Sequence, residues 1–155
     1  MYKNKTVSLI LPCFNEEESV ANIINEFLRI NYVDEIIAVD NNSTDSTAKI
    51  IKSFKIKYIK ENIQGYGSAI RRGLSESKGD LIAITEPDGS FSSSDLIRML
   101  EHTENFDCVF GSRTNIQYIE TGAKMGFSLR WGNIIVAKFL SILFFKKNFT
   151  DVGCT

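Results

Sequence analysis

Short apolar runs alternate with helix-period patterns along most of the chain, and nearly every apolar run stops at a polar, turn-forming tip. Val7–Leu11, Glu35–Val39, Lys57–Ile59, Leu81–Thr85 and Cys108–Gly111 read as strands, because short apolar runs closed by Pro, Asn, Asp or Gly suit buried strands. Between them Glu16–Ile30, Ser46–Phe54, Gly67–Lys78 and Asp95–His102 read as helices. Such alternation builds βαβ units on a mainly parallel sheet, so an α/β fold is expected. The 155 residues, 43% of them hydrophobic, suffice for one core, burying roughly two-thirds of the unfolded surface. No internal repeat or low-complexity linker divides the chain, and residues 1–155 are expected to form a single domain.

Charge says little about partners. Eighteen basic against nineteen acidic residues leave a net charge of −1, which gives no global field for nucleic acid, so anions must be bound by local sites. Cys13, Cys108 and Cys154 are odd in number, widely separated and without CxxC spacing, which suggests neither a disulfide framework nor a zinc site and fits a reducing compartment. The apolar stretch after Lys3 and Lys5 breaks at Pro12 and is too short for a signal peptide; a cytoplasmic protein is expected. His102, the only histidine, lies near Glu101 and Glu104 and reads as a solvated surface group, so histidine acid–base chemistry is not expected.

In open α/β sheets ligands bind outside the carboxyl ends of the strands, which makes the tips the informative residues. The first, Pro12-Cys13-Phe14-Asn15-Glu16-Glu17-Glu18, has a plain reading as a strand stop, with Asn15 as helix N-cap and acids on the helix dipole. In the second, Asp40-Asn41-Asn42-Ser43-Thr44-Asp45, a turn capped by Ser43 or Asp45 accounts for most residues. It leaves Asp40 unexplained, a carboxylate able to accept hydrogen bonds from a nucleobase or ribose. In the third, Gly65 and Gly67 open a helix carrying Arg71 and Arg72. Backbone donors and guanidinium groups there can face a diphosphate, or the segment is a flexible loop before a solvated basic face. It is neither a Walker loop nor a dinucleotide fingerprint, and the glycine pattern of a dehydrogenase is missing after the first strand. The fourth tip sets Glu86 and Asp88 two residues apart around Pro87, just after an apolar run. Two such acids can share a divalent cation whose other ligands are substrate phosphates; Pro-Asp-Gly is equally ordinary turn chemistry.

Taken in order, LPCFNEE, VDNNSTDST, NIQGYGSAIRRGL, LIAITEPDGSF and FGSR resemble the family 2 glycosyltransferases of GT-A fold, over nearly the whole chain. The resemblance implies a Rossmann-like three-layer sandwich with a mainly parallel central sheet. Arg130-Trp131-Gly132-Asn133 and Thr150-Asp151-Val152-Gly153 look like the branch of dolichyl- and polyprenyl-phosphate sugar synthases. By this resemblance Pro12, Phe14 and Glu16 contact the nucleotide and Asp40 the base or ribose; Asn41, Gly67 and Arg71, from the second and third tips, join them as candidate substrate-binding residues. Glu86 and Asp88 occupy the family's DXD positions, with Glu for the first Asp and Pro in the middle. Asp88 is therefore the stronger metal ligand for Mg²⁺ or Mn²⁺, Glu86 the second, and Ser90 a weak or water-mediated one. Arg113 and Arg130 match basic residues facing phosphate, against a plain reading as a surface ion pair or a guanidinium stacked on Trp131. Asp151 falls near the acceptor, or forms a turn before Gly153.

The expected activity is metal-dependent, inverting transfer of a hexose from a UDP- or GDP-sugar to a polyprenyl or dolichyl phosphate. A saccharide acceptor, or a nucleotide-sugar-binding domain without turnover, are the alternatives. The family usually continues beyond the point corresponding to Thr155, so a C-terminally shortened domain is expected, in which an apolar edge seeks a partner and a homo-oligomer stays open. Residues 134–147 form an apolar stretch with one internal lysine and two flanking ones, too short to span a bilayer, which needs about 20 residues. It suits either a core helix or an interfacial helix giving peripheral membrane contact.

Overall fold

The computed structural model describes residues 1–111, 135, 136, 138 and 139. Four parallel strands, β1 (Val7–Cys13), β2 (Glu35–Asp40), β3 (Lys57–Lys60) and β4 (Leu81–Ile84), pair in the order β3-β2-β1-β4 among these residues. Helices α1 (Val20–Leu28), α2 (Thr47–Lys52), α3 (Tyr66–Glu76) and α4 (Ser93–His102) follow the strands in turn. Cys13 stands opposite Asp40, and Asp40 opposite Lys60, so the carboxyl ends of β1 to β3 are level.

Alternation along β1 explains the three layers. Val7, Leu9, Leu11 and Cys13 point to one face, where they pack with Ile36 and Ala38 of β2, Val20, Ile24 and Phe27 of α1, and Leu96 and Leu100 of α4. Ile10 points to the other face, into a smaller core with Ile37, Val39, Ile59 and Ala69 of α3. A strand buried on both sides favours apolar residues at nearly every position, which is why β1 and β2 read as mainly apolar runs; the buried exception inside β1, Ser8, donates its Oγ–H to Glu35 Oε2 at 2.7 Å. Helix α3 sits close: a Cβ on Gly73 would lie 2.4 Å from Ile10 Cγ2, so only glycine permits this approach. Pro12 has no N–H to give, and it lies past the end of the β1–β4 ladder, whose last pair is Ile10 with Ile84. At the sheet's described edge, Ile82 and Ile84 are 46% and 41% exposed on the α3 side.

The chain divides into two compact units, Met1–Glu101 and His102–Thr155. In the second, Cys108–Gly111 is irregular rather than the expected fifth strand. An apolar run becomes a strand only by pairing, and here Phe110 is exposed instead. Ile135, Val136, Lys138 and Phe139 are helical and exposed. No helix of the described residues is long and apolar enough to cross a membrane.

Candidate active site at the carboxyl ends of the strands

The first two tips are clasped to each other. Asn15 adopts a left-handed φ of 55°, and its Oδ1 accepts Thr44 N–H at 2.8 Å, while its own N–H reaches Ser43 Oγ. It does not cap α1, which starts four residues later than expected, with Ser19 at the N-cap. Two amides before the helix are already taken: Glu16 N–H donates to Thr47 Oγ1 at 2.7 Å, and Glu17 N–H to Asp45 Oδ2. Glu17 returns the contact through Oε2 to Ser46 N–H. Residues 16–19 are therefore a turn shaped by the neighbouring tip, a tertiary effect that overrides the local helix pattern.

Asp40 is only 2% exposed. Its Oδ1 accepts Ser43 N–H at 3.0 Å, and its Oδ2 accepts Tyr58 O–H at 3.1 Å from β3. Lys52 lies over the Tyr58 ring. Burial and the Asp40 charge push the Tyr58 phenol up, which keeps it the donor in this bond. Burial, with the Asp40 and Glu16 carboxylates, likewise drives the Cys13 thiol far above its ordinary range. Cys13 is thus no nucleophile. Tyr58 escaped sequence reasoning because only the β2–β3 register brings it to Asp40.

Of the remaining expected residues, Phe14 is half exposed at the mouth, and Glu16 Oε2 accepts Ser19 Oγ–H at 2.7 Å. Gly65, at φ 131°, is the N-cap of α3, a conformation reserved for glycine. A Cβ on Gly67 would meet nothing within 4 Å, so this position borders open space. Arg71 is exposed, its guanidinium 3.4 Å from Ser68 Oγ. At the fourth tip Pro87 is fully buried and anchors the turn, while Asp88 is exposed. Asp88 Oδ1 accepts Ser90 N–H at 2.8 Å, and Gly89 takes φ 78°. Arg113, Arg130 and Asp151 lie outside the described residues.

The donor set at this turn fits a hard divalent cation. Glu86 and Asp88 offer carboxylate oxygens, and no cluster of three or more metal-ligating side chains occurs among the described residues. Two carboxylates are a donor set that Mg²⁺ or Mn²⁺ typically takes, completing its shell with phosphate and water. A crevice of about 380 Å³ lined by Phe27, Val33, Ile36 and Ile56 opens at the opposite, amino ends of β2 and β3. In a parallel sheet that is the structural end, so the chemistry belongs to the tips.

The sequence model for Glycosyl transferase family 2 matches residues 8–154. The chain belongs to this family. A family 2 domain of GT-A fold accounts for the strand order and for the polar tips gathered at one sheet edge. RfbJ of Shigella flexneri is 30% identical over 73% of this chain and 89% of its own. The UDP-N-acetylglucosamine–dolichyl-phosphate N-acetylglucosaminyltransferase of Methanococcus voltae is 32% identical over 71% of this chain. Glucosyl-3-phosphoglycerate synthase from Mycobacterium tuberculosis, solved with Mn²⁺, UDP and glucosyl-3-phosphoglycerate, matches at a TM-score of 0.50 and 26% identity over 54% of this chain. This chain spans 53% of the Methanococcus enzyme's length and 34% of the synthase's.

Acid is expected to loosen this glycosyltransferase domain. Burial pushes the Asp45 carboxyl up, but hydrogen bonds from Thr47 and from Glu17 N–H outweigh it and hold its pKa below the ordinary value. Bonds from Thr6 do the same for Asp80, and Val7 N–H with the Met1 ammonium for Asp34. A carboxyl with a depressed folded pKa stabilises the fold above its unfolded pKa, and that stability is lost as pH falls through the folded value. Urea midpoints should hold steady from neutrality to about pH 5 and then fall steeply below about pH 4. Asp45→Asn should flatten that fall; an identical acid slope in the variant would remove Asp45 from the account.

Proposed function

We propose that the domain transfers a hexose from a nucleotide-diphosphate sugar to a lipid phosphate, with Mg²⁺ or Mn²⁺ held by Asp88 and Glu86. The observation that carries this reading is the gathering of four polar tips, including the Glu86-Pro87-Asp88 turn, at the carboxyl edge of one parallel sheet. The Methanococcus relative's name supports the choice of donor and acceptor class, and the synthase bound to Mn²⁺ and UDP supports the metal and the nucleotide.

In this reading Phe14 and the Asp40 tip receive the nucleoside, and the Gly65–Gly67 segment borders its diphosphate. A divalent cation, when bound, offsets the charge that develops on the departing nucleoside diphosphate. The acceptor phosphate is ionised at neutral pH, so it needs no strong general base. One of its oxygens forms a bond to the anomeric carbon as the bond to the diphosphate breaks, with inversion at that carbon. Arg113 and Arg130 would face phosphate and Asp151 the acceptor, on the strength of the motif match alone. The exposed Ile135, Val136 and Phe139 suit contact with a cytoplasmic membrane surface where such an acceptor resides.

A non-lipid acceptor is the second reading, favoured by the synthase solved with glucosyl-3-phosphoglycerate. Labelled UDP- and GDP-hexoses offered with polyprenyl phosphate, with 3-phosphoglycerate or with a saccharide separate the two. Label should enter the lipid phase only with the polyprenyl phosphate present; label appearing on the phosphoglycerate or the saccharide instead would overturn the lipid reading.

A further inference from the structure

We propose that Asn41 is a positioning residue of the donor site, which sets the place of the Glu61–Gly65 loop and does not itself read the nucleotide. The proposal rests on the reading of the tips as a nucleotide-sugar site. Asn41 is 3% exposed, and its amide is engaged three times. Nδ2 donates to Glu61 O at 3.1 Å and to Ile63 O at 2.8 Å, and Oδ1 accepts Gly65 N–H at 2.7 Å. The orientation of the amide is determined by these partners: turned over, it would set oxygen against two carbonyls and NH₂ against an N–H. Both of its hydrogens are therefore taken and Oδ1 already accepts Gly65 N–H, and at 3% exposure the amide presents almost no open surface to a base.

What it holds matters more. The loop follows β3, returns along the tip of β2 and ends in Gly65, whose φ of 131° turns the chain into α3. Glu61 N–H donates to Asp40 O at 2.9 Å, and Asn42 Nδ2 donates to Asn62 O at 2.8 Å, so the whole loop hangs on the β2 tip. Asn41 N–H in turn donates to Cys13 O at 2.9 Å. One side chain thus ties the base-side tip, at Asp40, to the segment bordering open space at Gly67. Glu61 is only partly buried, and Ile63 and Gly65 are exposed. Water can replace the lost partners there, so removing the amide should free the loop without unfolding the domain.

The test compares wild type, Asn41→Ala and Asn41→Asp. Asp keeps an acceptor for Gly65 N–H but loses both donors and sets a carboxylate against two carbonyls. In ligand-free protein, Gly65 amide exchange should quicken about tenfold or more in Asn41→Ala. With Mn²⁺, the dissociation constants of UDP and GDP should both rise about tenfold in the two variants, leaving the UDP-to-GDP ratio unchanged. Unchanged Gly65 protection in Asn41→Ala, or a shifted UDP-to-GDP ratio, would overturn the proposal, the latter because it means direct contact with the base. Failure of wild type to bind any nucleoside diphosphate with Mn²⁺ would instead defeat the donor-site reading, and the Gly65 exchange measurement distinguishes that outcome.

Discussion

Asp88→Asn should lower turnover of a nucleotide-sugar donor by about a hundredfold or more, the range in which removal of one electrostatic stabiliser typically falls. The substitution is nearly isosteric. Asn retains the Oδ1 that accepts Ser90 N–H, Pro87 stays buried beside it, and Gly89 keeps its left-handed turn. Because position 88 is exposed, stability should stay within about 0.5 kcal/mol of wild type, as for most surface changes. The loss should therefore lie in the dependence on Mn²⁺ or Mg²⁺: half-saturation should move to higher metal concentration, with smaller effects for Glu86→Gln. Isothermal titration of UDP at several Mn²⁺ concentrations checks this. Unchanged metal-dependent affinity in Asp88→Asn would reduce the Glu86-Pro87-Asp88 segment to a surface turn.

Phe27→Ala should cost about 3–5 kcal/mol of stability, the usual range for emptying a buried aromatic site. Phe27 is 1% exposed on α1 and belongs to the larger core, with Leu9 and Leu11 of β1 and Ile36 of β2 among its members. That core seats α1 on the sheet face and so places the β1–α1 tip against the β2–α2 tip. A loss of this size is a large share of the roughly 5–15 kcal/mol that holds a typical domain together. The urea midpoint should drop sharply with little change in slope, and nucleotide affinity should weaken with it. A cost under about 1 kcal/mol would mean that this face is not the main core.

The parallel sheet was legible because β1 and β2 are buried on both faces, which favours mainly apolar runs such as Leu9–Leu11 and Ile36–Val39. The tips were legible as a set, since ligand sites in such sheets lie past the carboxyl ends of strands. What those residues bond to was not. Asn15 looked like a helix cap, yet it is spent on Thr44, and Glu16 and Glu17 give their amides to Thr47 and Asp45 rather than to a first helical turn. These contacts span about thirty residues of sequence and depend on the β1–β2 register, which local patterns do not carry. Tyr58 was missed for the same reason. Cys108–Gly111 failed as a strand because apolar composition is necessary for pairing but supplies no partner.

The most direct test of the account is nucleoside diphosphate release from UDP- and GDP-sugars by the purified chain, with polyprenyl phosphate and with or without Mn²⁺. Acceptor- and metal-dependent release of one nucleoside diphosphate, abolished by EDTA and sharply reduced in Asp88→Asn, is the predicted result. Metal-dependent nucleotide binding with no release would contradict it and leave a nucleotide-sugar-binding domain without turnover.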